Sequence, residues 1–113
     1  DTVVLDEYFK QNEKIDFIKS NIQGSDFAAL SGMTNIINRS KKLKIMTEFD
    51  PGMISGFGMK PSEFIDFLIG KKFKIYDMPA YENKIIPITK KELLAKYTAE
   101  DRTGTNLFCI KQK

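Results

Sequence analysis

The chain has 113 residues, of which 42% are apolar and 29% charged, a composition typical of one globular domain and not of a disordered segment. Its net charge of +3 indicates no partner by itself, and no apolar run approaches the roughly 20 residues of a membrane-spanning helix, so we expect no membrane span. The absence of histidine excludes histidine bases, serine–histidine triads and the usual zinc sites. The single cysteine, Cys109, stands in an apolar run, which favours a buried thiol. One cysteine cannot form a disulfide within the chain, which favours a reducing, cytoplasmic compartment.

The first half of the chain predicts a β-α-β unit between Ile15 and Phe49. Apolar runs that suit strands stand at both ends, and an amphipathic segment lies between them. Two strands joined in this way are parallel, and their crossover is right-handed. Gly32 inside the helical segment costs about 1 kcal/mol relative to alanine, so the helix is expected to kink or split. The predicted elements are a strand over Ile15–Ile22, a turn at Gln23 and Gly24, a helix over Ser25–Asn38 and a strand over Leu43–Phe49.

The second half predicts two further helices and two or three strands. After a turn at Asp50–Gly52, the glycine-rich segment Met53–Lys60 is expected to be a loop over one end of the core or, alternatively, a lid with glycine hinges. Thr89 and Glu92 have the spacing of a capping box. The predicted elements are a helix over Pro61–Gly70, a strand over Phe73–Met78, an edge strand or arm over Lys84–Ile88, a helix capped by Thr89 and ending near Tyr97, and a final strand over Asn106–Lys111.

The two ends of the predicted sheet differ in charge. Ligands in such folds bind beyond the carboxyl ends of the strands, near a helix N-terminus, which points to Asn21–Asp26 and Glu48–Gly52. The basic clusters Arg39–Lys44 and Lys71–Lys74 fall instead where a helix ends and a strand begins, at the opposite edge. Their one aromatic residue, Phe73, is expected in the core and not free to stack on bases, so nucleic acid is not an expected partner.

The run IDFIKSNIQGSDFAALSGM, from Ile15 to Met33, resembles the hallmark of the FkbM-type S-adenosylmethionine-dependent methyltransferases, a strand ending Ile-Lys-x-Asp-x-Glu-Gly followed by an acidic helix start and Leu-x-Gly. The segments Leu5–Tyr8, Leu43–Glu48 and Asn106–Lys111 are similar to that family's lead-in, next strand and closing strand. The resemblance implies an α/β fold with a three-layer, Rossmann-like methyltransferase half-sheet, mostly parallel with an antiparallel last strand. Residues 1–113 would form a single α/β domain similar to strands four to seven of that class, without the N-terminal cofactor-binding half.

The same resemblance implies a set of site residues. They are Asn21, Gln23 and Gly24 for the cofactor S-adenosylmethionine, Lys19 for the substrate, and Glu48 and Asp50 to orient or deprotonate the acceptor. Asn21 and Gln23 replace the family's Asp and Glu with neutral amides, which can hydrogen-bond but cannot act as bases. The glycine-rich loop that such enzymes place after their first strand is also missing from these residues, so the chain alone should bind the cofactor weakly or not at all.

Two functions remain open at this point. One is part of a methyltransferase that modifies the hydroxyl of a sugar or small metabolite; the other is a non-catalytic binding or assembly module of the same ancestry. In the second case the partner would be the missing N-terminal half or another copy of the chain, paired through the edge strand Ile15–Ile22. The residues do not indicate which acceptor is methylated or which oligomeric state the chain adopts.

Overall fold

The computed structural model describes residues 13–22 and 24–112, so the predicted lead-in Leu5–Tyr8 and the site residue Gln23 lie outside the described residues. The described part forms one sheet and a set of short helices. Its strands are β1 Phe17–Ser20, β2 Lys44–Phe49, β3 Phe73–Met78, β4 Ile86–Pro87 and β5 Thr105–Lys111. Its helices are α1 Asp26–Ser31, α2 Thr34–Arg39, α3 Pro51–Gly56, α4 Pro61–Gly70 and α5 Lys90–Lys96.

The five strands form a mixed sheet in the order β1-β2-β5-β3-β4. β1 and β2 are parallel, as the β-α-β pattern predicts, with Ile18 opposite Ile45. β5 lies between β2 and β3 and is antiparallel to both, and β4 is antiparallel to β3. Because the last strand is inserted between two others, one strand pair of the four is parallel. The prediction of a mostly parallel sheet is therefore correct in that β1, β2 and β3 run in the same direction. It is wrong for the hydrogen-bonded pairs, most of which are antiparallel.

The described helices form a layer on one face of this sheet. Alternate residues of the three central strands point into it, and Ile45, Phe49 and Leu107 are fully buried there. Helix α1 reaches this face through a hydrogen bond from Thr47, and α5 through bonds to Asp77. Within the described residues no helix is long and apolar enough to cross a bilayer.

The opposite face of the sheet, called here the second face, carries no buried side chain among the described residues. Its middle row runs across the sheet from Lys19 through Met46 and Phe108 to Tyr76, whose ring centroid lies 6.5 Å from that of Phe108. Phe17 on the same face is 52% exposed. The third layer of the predicted three-layer arrangement is thus not formed by the described helices. The second face comprises Phe17, Lys19, Lys44, Met46, Glu48, Lys74, Tyr76, Met78, Asn106, Phe108 and Ile110.

Several local signals in the sequence are confirmed by the structure. The helical segment splits at Gly32 into α1 and α2, and α4 begins at Pro61 and ends at Gly70. Thr89 caps α5 in a complete capping box, in which its hydroxyl accepts the Glu92 N–H at 3.1 Å and the Glu92 carboxylate accepts the Thr89 N–H at 3.0 Å. These signals succeed because each depends on neighbours within four residues of the chain.

The interpretation of Met53–Lys60 as a loop or hinged lid is wrong for its first half, which belongs to α3. The Asp50 side chain caps this helix by accepting the Met53 N–H at 3.1 Å, and Pro51 takes the first helical position. Ile54 is buried in the core, so packing compensates for the low helix propensity of the glycines. The helix ends before Gly58, which has a positive φ of 77°.

The cysteine is buried, as its apolar neighbours predict. Cys109 lies on the helix-covered face of β5, opposite Ile45 on one side and Ile75 on the other. Burial raises the pKa of its thiol to about 12, because a thiolate in this apolar layer would lose its hydration. Cys109 is therefore a core residue and not a nucleophile at neutral pH.

Candidate functional site

Three strand ends meet at the edge of the sheet where the β-α-β unit predicts a ligand. Glu48 at the end of β2 lies opposite Asn106 of β5, which in turn lies opposite Met78 at the end of β3. All three side chains belong to the second face and are half-buried. A cavity of about 250 Å³ opens beside them, and a depression of about 380 Å³ under residues 79–85 adjoins it. The smaller cavity is lined by Glu48, Asp50, Ala80, Gly104, Thr105 and Asn106.

Asp26, the first residue of α1, is the most constrained side chain of this edge. It is 1% exposed, and its carboxylate accepts hydrogen bonds from the Ile22 N–H at 3.1 Å, the Thr47 hydroxyl at 2.9 Å and the Glu48 N–H at 3.4 Å. No described lysine or arginine forms an ion pair with it. Asp26 thus ties the segment after β1 to the end of β2, and it leaves a buried negative charge without a counterion beside Glu48.

The setting of Glu48 makes its carboxyl group hold a proton more readily than an ordinary glutamate. Burial raises the pKa of Glu48, and the negative charges of Asp26 and Asp50 raise it further. A carboxylate is a better proton acceptor when its pKa approaches the working pH. Of the carboxylates that line the cavity, Glu48 is therefore the one whose surroundings suit a general base.

Asp50 is engaged in a different role. Its carboxylate caps α3 by accepting the Met53 N–H, so one of its oxygens is committed to the helix start. The side chain remains half-exposed and lines the same cavity as Glu48. Asp50 can therefore add negative charge to the site while it holds the first turn of α3 in place.

A comparison with protein-family models matches residues 1–76 to the methyltransferase FkbM domain. The match covers 76 of the 113 residues and includes the whole stretch from Asp26 to Asp50 that forms the acidic edge. The chain belongs to the FkbM methyltransferase family. No curated protein and no solved structure matches it.

Of the remaining residues that the FkbM resemblance implies, Asn21 and Gly24 lie near this edge, and Lys19 lies in the middle row of the sheet. Asn21 follows β1 directly and is exposed, and Lys19 is exposed on the second face opposite Met46. Gly24 is buried with a positive φ of 99°, and a Cβ there would lie 2.7 Å from the carbonyl carbon and oxygen of Met53. Its close approach to α3 gives Gly24 a packing role whether or not it also contacts a ligand. Gln23 lies outside the described residues.

One residue of the edge, Asn106, was missed by reasoning from the sequence. Asp26 belongs to the stretch Asn21–Asp26 that was expected near the ligand, but its hydrogen bonds to the end of β2 were not foreseen. Asn106 was interpreted only as the start of the last strand. Its position opposite Glu48 follows from the insertion of β5 beside β2, which no local pattern reveals.

Proposed function

We propose that this chain is part of an S-adenosylmethionine-dependent methyltransferase that acts on a hydroxyl group of a sugar or another small metabolite. The main support is Glu48, a half-buried carboxylate with a raised pKa that lines a cavity at the carboxyl end of β2. A hydroxyl oxygen is a poor nucleophile while it keeps its proton, so a proton acceptor of this kind assists its attack. In the proposal Glu48 takes that proton, and Asn106 across the strand pair can hydrogen-bond the acceptor.

The charges at this edge suit the proposed cofactor. When bound, S-adenosylmethionine supplies an electrophilic methyl group carried by a positively charged sulfonium. Asp26, Glu48 and Asp50 together make the edge negative, which favours a cation nearby. Asn21 at the end of β1 would offer an amide for hydrogen bonding. The rest of the cofactor contacts would come from residues outside these 113 or from a partner.

The proposal is tested by activity of the native polypeptide, its length first established by intact mass spectrometry on protein from the source cell. Transfer of a labelled methyl group to a panel of sugars and hydroxylated metabolites is expected, and Glu48→Gln should lower kcat by a factor of about 10² to 10⁴. Lys91→Met, on an exposed face of α5, is the control and should keep the full rate. Native polypeptide that methylates nothing in the panel, or Glu48→Gln with unchanged kcat, would contradict the proposal.

The 113-residue chain alone is expected to bind the cofactor weakly. It supplies the acidic edge and the end of β1, whereas the glycine-rich loop that contacts such a cofactor is not among its residues. Calorimetry with S-adenosylmethionine should therefore show no low-micromolar binding. Tight binding by the isolated chain would show that these residues form a complete cofactor site.

A non-catalytic assembly module is the second candidate, and the second face favours it. β1 is at the edge of the described sheet, and Phe17 and Ile22 beside it are 52% and 48% exposed. Apolar edges of this kind pair with other chains. The partner would be the missing N-terminal half or another copy joined along Ile15–Ile22. Size-exclusion chromatography with light scattering should then show self-association of the isolated chain, and a monomer at all concentrations would count against pairing between copies.

A further inference from the structure

The two basic turns of the chain meet at the edge of the sheet opposite Glu48. Lys41 follows α2, Lys71 and Lys72 form the turn after α4, and Lys111 is the last residue of β5. Segments up to 70 residues apart in the chain therefore bring four lysines together around one cavity of about 220 Å³. The cavity is lined by Asn38, Lys41, Gly70, Lys71, Lys72 and Lys111.

The positive charge of this cavity is not neutralised by the residues that the structure describes. Within residues 13–22 and 24–112 no acidic residue lines the cavity, and none of the four lysines forms an ion pair with a carboxylate. Asp16 lines a neighbouring depression, together with Lys41 but not with the other three. Burial lowers the pKa of Lys111, and the charges of Lys41, Lys71 and Lys72 lower it further. Like charges held this close destabilise the fold, and a bound anion would relieve the repulsion.

Favourable contacts with helix C-termini explain the position of only some of these lysines. Lys111 donates a hydrogen bond from its Nζ to the carbonyl oxygen of Ile37 near the end of α2, as cations commonly do at helix C-termini. Among the described contacts, Lys41 and Lys72 have no such acceptor. Lys72 has a positive φ of 71°, a conformation that glycine adopts with less strain. The left-handed backbone at Lys72 is therefore more strained than it would be with glycine at this position.

We propose that this cavity is a binding site for a compact oligophosphate, a diphosphate or triphosphate group. Lysine ammonium groups bind phosphate as point charges, and four of them match an anion that carries several charges. The volume of about 220 Å³ lies below the roughly 300 Å³ at which pockets for larger organic ligands begin, which favours a compact anion.

The aromatic rings near the cavity argue against a nucleobase as part of the ligand. The Lys71 Nζ lies 5.8 Å from the ring centroid of Phe67, and the Lys111 Nζ lies 5.5 Å from that of Phe73. Phe73 is buried in the core and Lys71 covers a face of Phe67, so neither ring is open for a base to stack on. Recognition should therefore rest on the phosphate groups alone.

The test is calorimetry and thermal unfolding of the full chain with pyrophosphate, tripolyphosphate and ATP in 0.15 M NaCl, where weak surface attraction is screened beyond about 8 Å. We expect saturable binding with one site, and similar affinities for tripolyphosphate and ATP. Failure to saturate, or a preference for ATP of more than tenfold, would overturn the proposal.

Two variants separate the site from the fold. Lys72→Gly removes one ammonium at a position where glycine is unstrained, so it should raise the unfolding midpoint without ligand and weaken tripolyphosphate binding at least fivefold. Lys111→Met keeps an apolar stem over Phe73 and should weaken binding at least tenfold. Lys91→Met changes the net charge equally at an exposed site that does not line the cavity and should alter affinity less than twofold. An equal loss in all three variants would mean that only net charge matters and would refute a specific site.

Discussion

The two buried aspartates in the described part of the chain are alike in position and different in surroundings. Asp26 and Asp77 are both almost fully buried, and each accepts a hydrogen bond from a threonine hydroxyl on a central strand. Asp77 also binds the Tyr97 hydroxyl at 2.7 Å and forms an ion pair with the Lys96 ammonium at 2.9 Å. Asp26 has backbone N–H donors and no described counterion.

This difference shows that burial alone does not identify a functional acid. Burial acts to raise the pKa of Asp77, but the hydrogen bonds from Thr105, Tyr97 and Lys96 outweigh it, so the pKa of Asp77 is lowered. Its carboxylate stabilises the contact of α5 with β3 and β5. The charge of Asp26 acts instead on its neighbour and raises the pKa of Glu48. A buried acid without a counterion is thus the feature that marks the candidate site.

The largest effect on stability is expected from removing Asp77, the buried aspartate that has an ion pair. Asp77→Ala leaves two buried hydroxyl groups without their acceptor, so the free energy of unfolding should fall by about 3 kcal/mol. Asp66→Ala, which breaks the exposed ion pair with Lys90, should cost under about 1 kcal/mol. Urea unfolding measures both. Equal losses would show that the Asp77 network does not hold α5 to the sheet.

A smaller loss is expected at the turn that carries a donor to Asp26. Gly24→Ala would adopt a positive φ of 99° and place its Cβ against the Met53 backbone, so the free energy of unfolding should fall by about 2 kcal/mol. Gly70→Ala, at the end of α4 with open space around it, is the control. A neutral Gly24→Ala would mean that the turn can move away from α3 without losing stability.

Neutralising Asp26, the aspartate without a described counterion, should change the pKa of its neighbour Glu48 more than the stability of the fold. Asp26→Asn keeps the shape but replaces one acceptor oxygen with an amide, so a loss of about 1 kcal/mol is expected. The pKa of Glu48 should fall, because one of the charges that raise it is gone. Carbon-detected NMR titration of the Glu48 carboxyl group measures this, with exposed Asp101→Asn as the control. An unchanged pKa would show that burial and Asp50 cause the shift without Asp26.

The smallest effect is an opposite dependence of stability on pH at the two sites. Folding raises the pKa of Glu48, so this group stabilises the fold below its unfolded pKa of about 4.3. That stabilisation is lost as the pH rises through the folded pKa. The contribution of Asp77 is present above about 3.9 and is lost as pH falls through its lowered pKa. Glu48→Gln should therefore stabilise the chain at pH 7, by under about 0.5 kcal/mol. A loss of stability at pH 7 would contradict this sign.

Elements that depend on near neighbours could be predicted from the sequence. The split at Gly32, the limits of α4 and the cap at Thr89 each follow from residues within one helical turn. Helix α3 was missed because Gly52 and Gly56 suggest a loop, while the burial of Ile54, which holds the helix together, is a tertiary effect.

Site residues at the end of a predicted strand could be identified from the sequence. Residues that come together only through the order of the strands in the sheet could not. Glu48 was identified because it ends a strand of the β-α-β unit. Asn106 beside it and the convergence of Lys41, Lys72 and Lys111 require β5 to lie between β2 and β3. That pairing joins residues some 60 positions apart, and short-range patterns carry no information about it.

The position of β5 in the middle of the sheet also affects how the chain folds during its synthesis. β2 and β3 share no hydrogen bonds with each other, and both are joined only by β5, which ends at Lys111. During synthesis the edges of β2 and β3 that pair with β5 therefore stay unpaired until β5 has left the ribosome. Such late, long-range pairing slows folding and leaves the nascent chain prone to aggregation. Deletion of Thr105–Lys111 should remove the strand that joins β2 to β3, so the loss of these seven residues should be far more harmful than their number suggests.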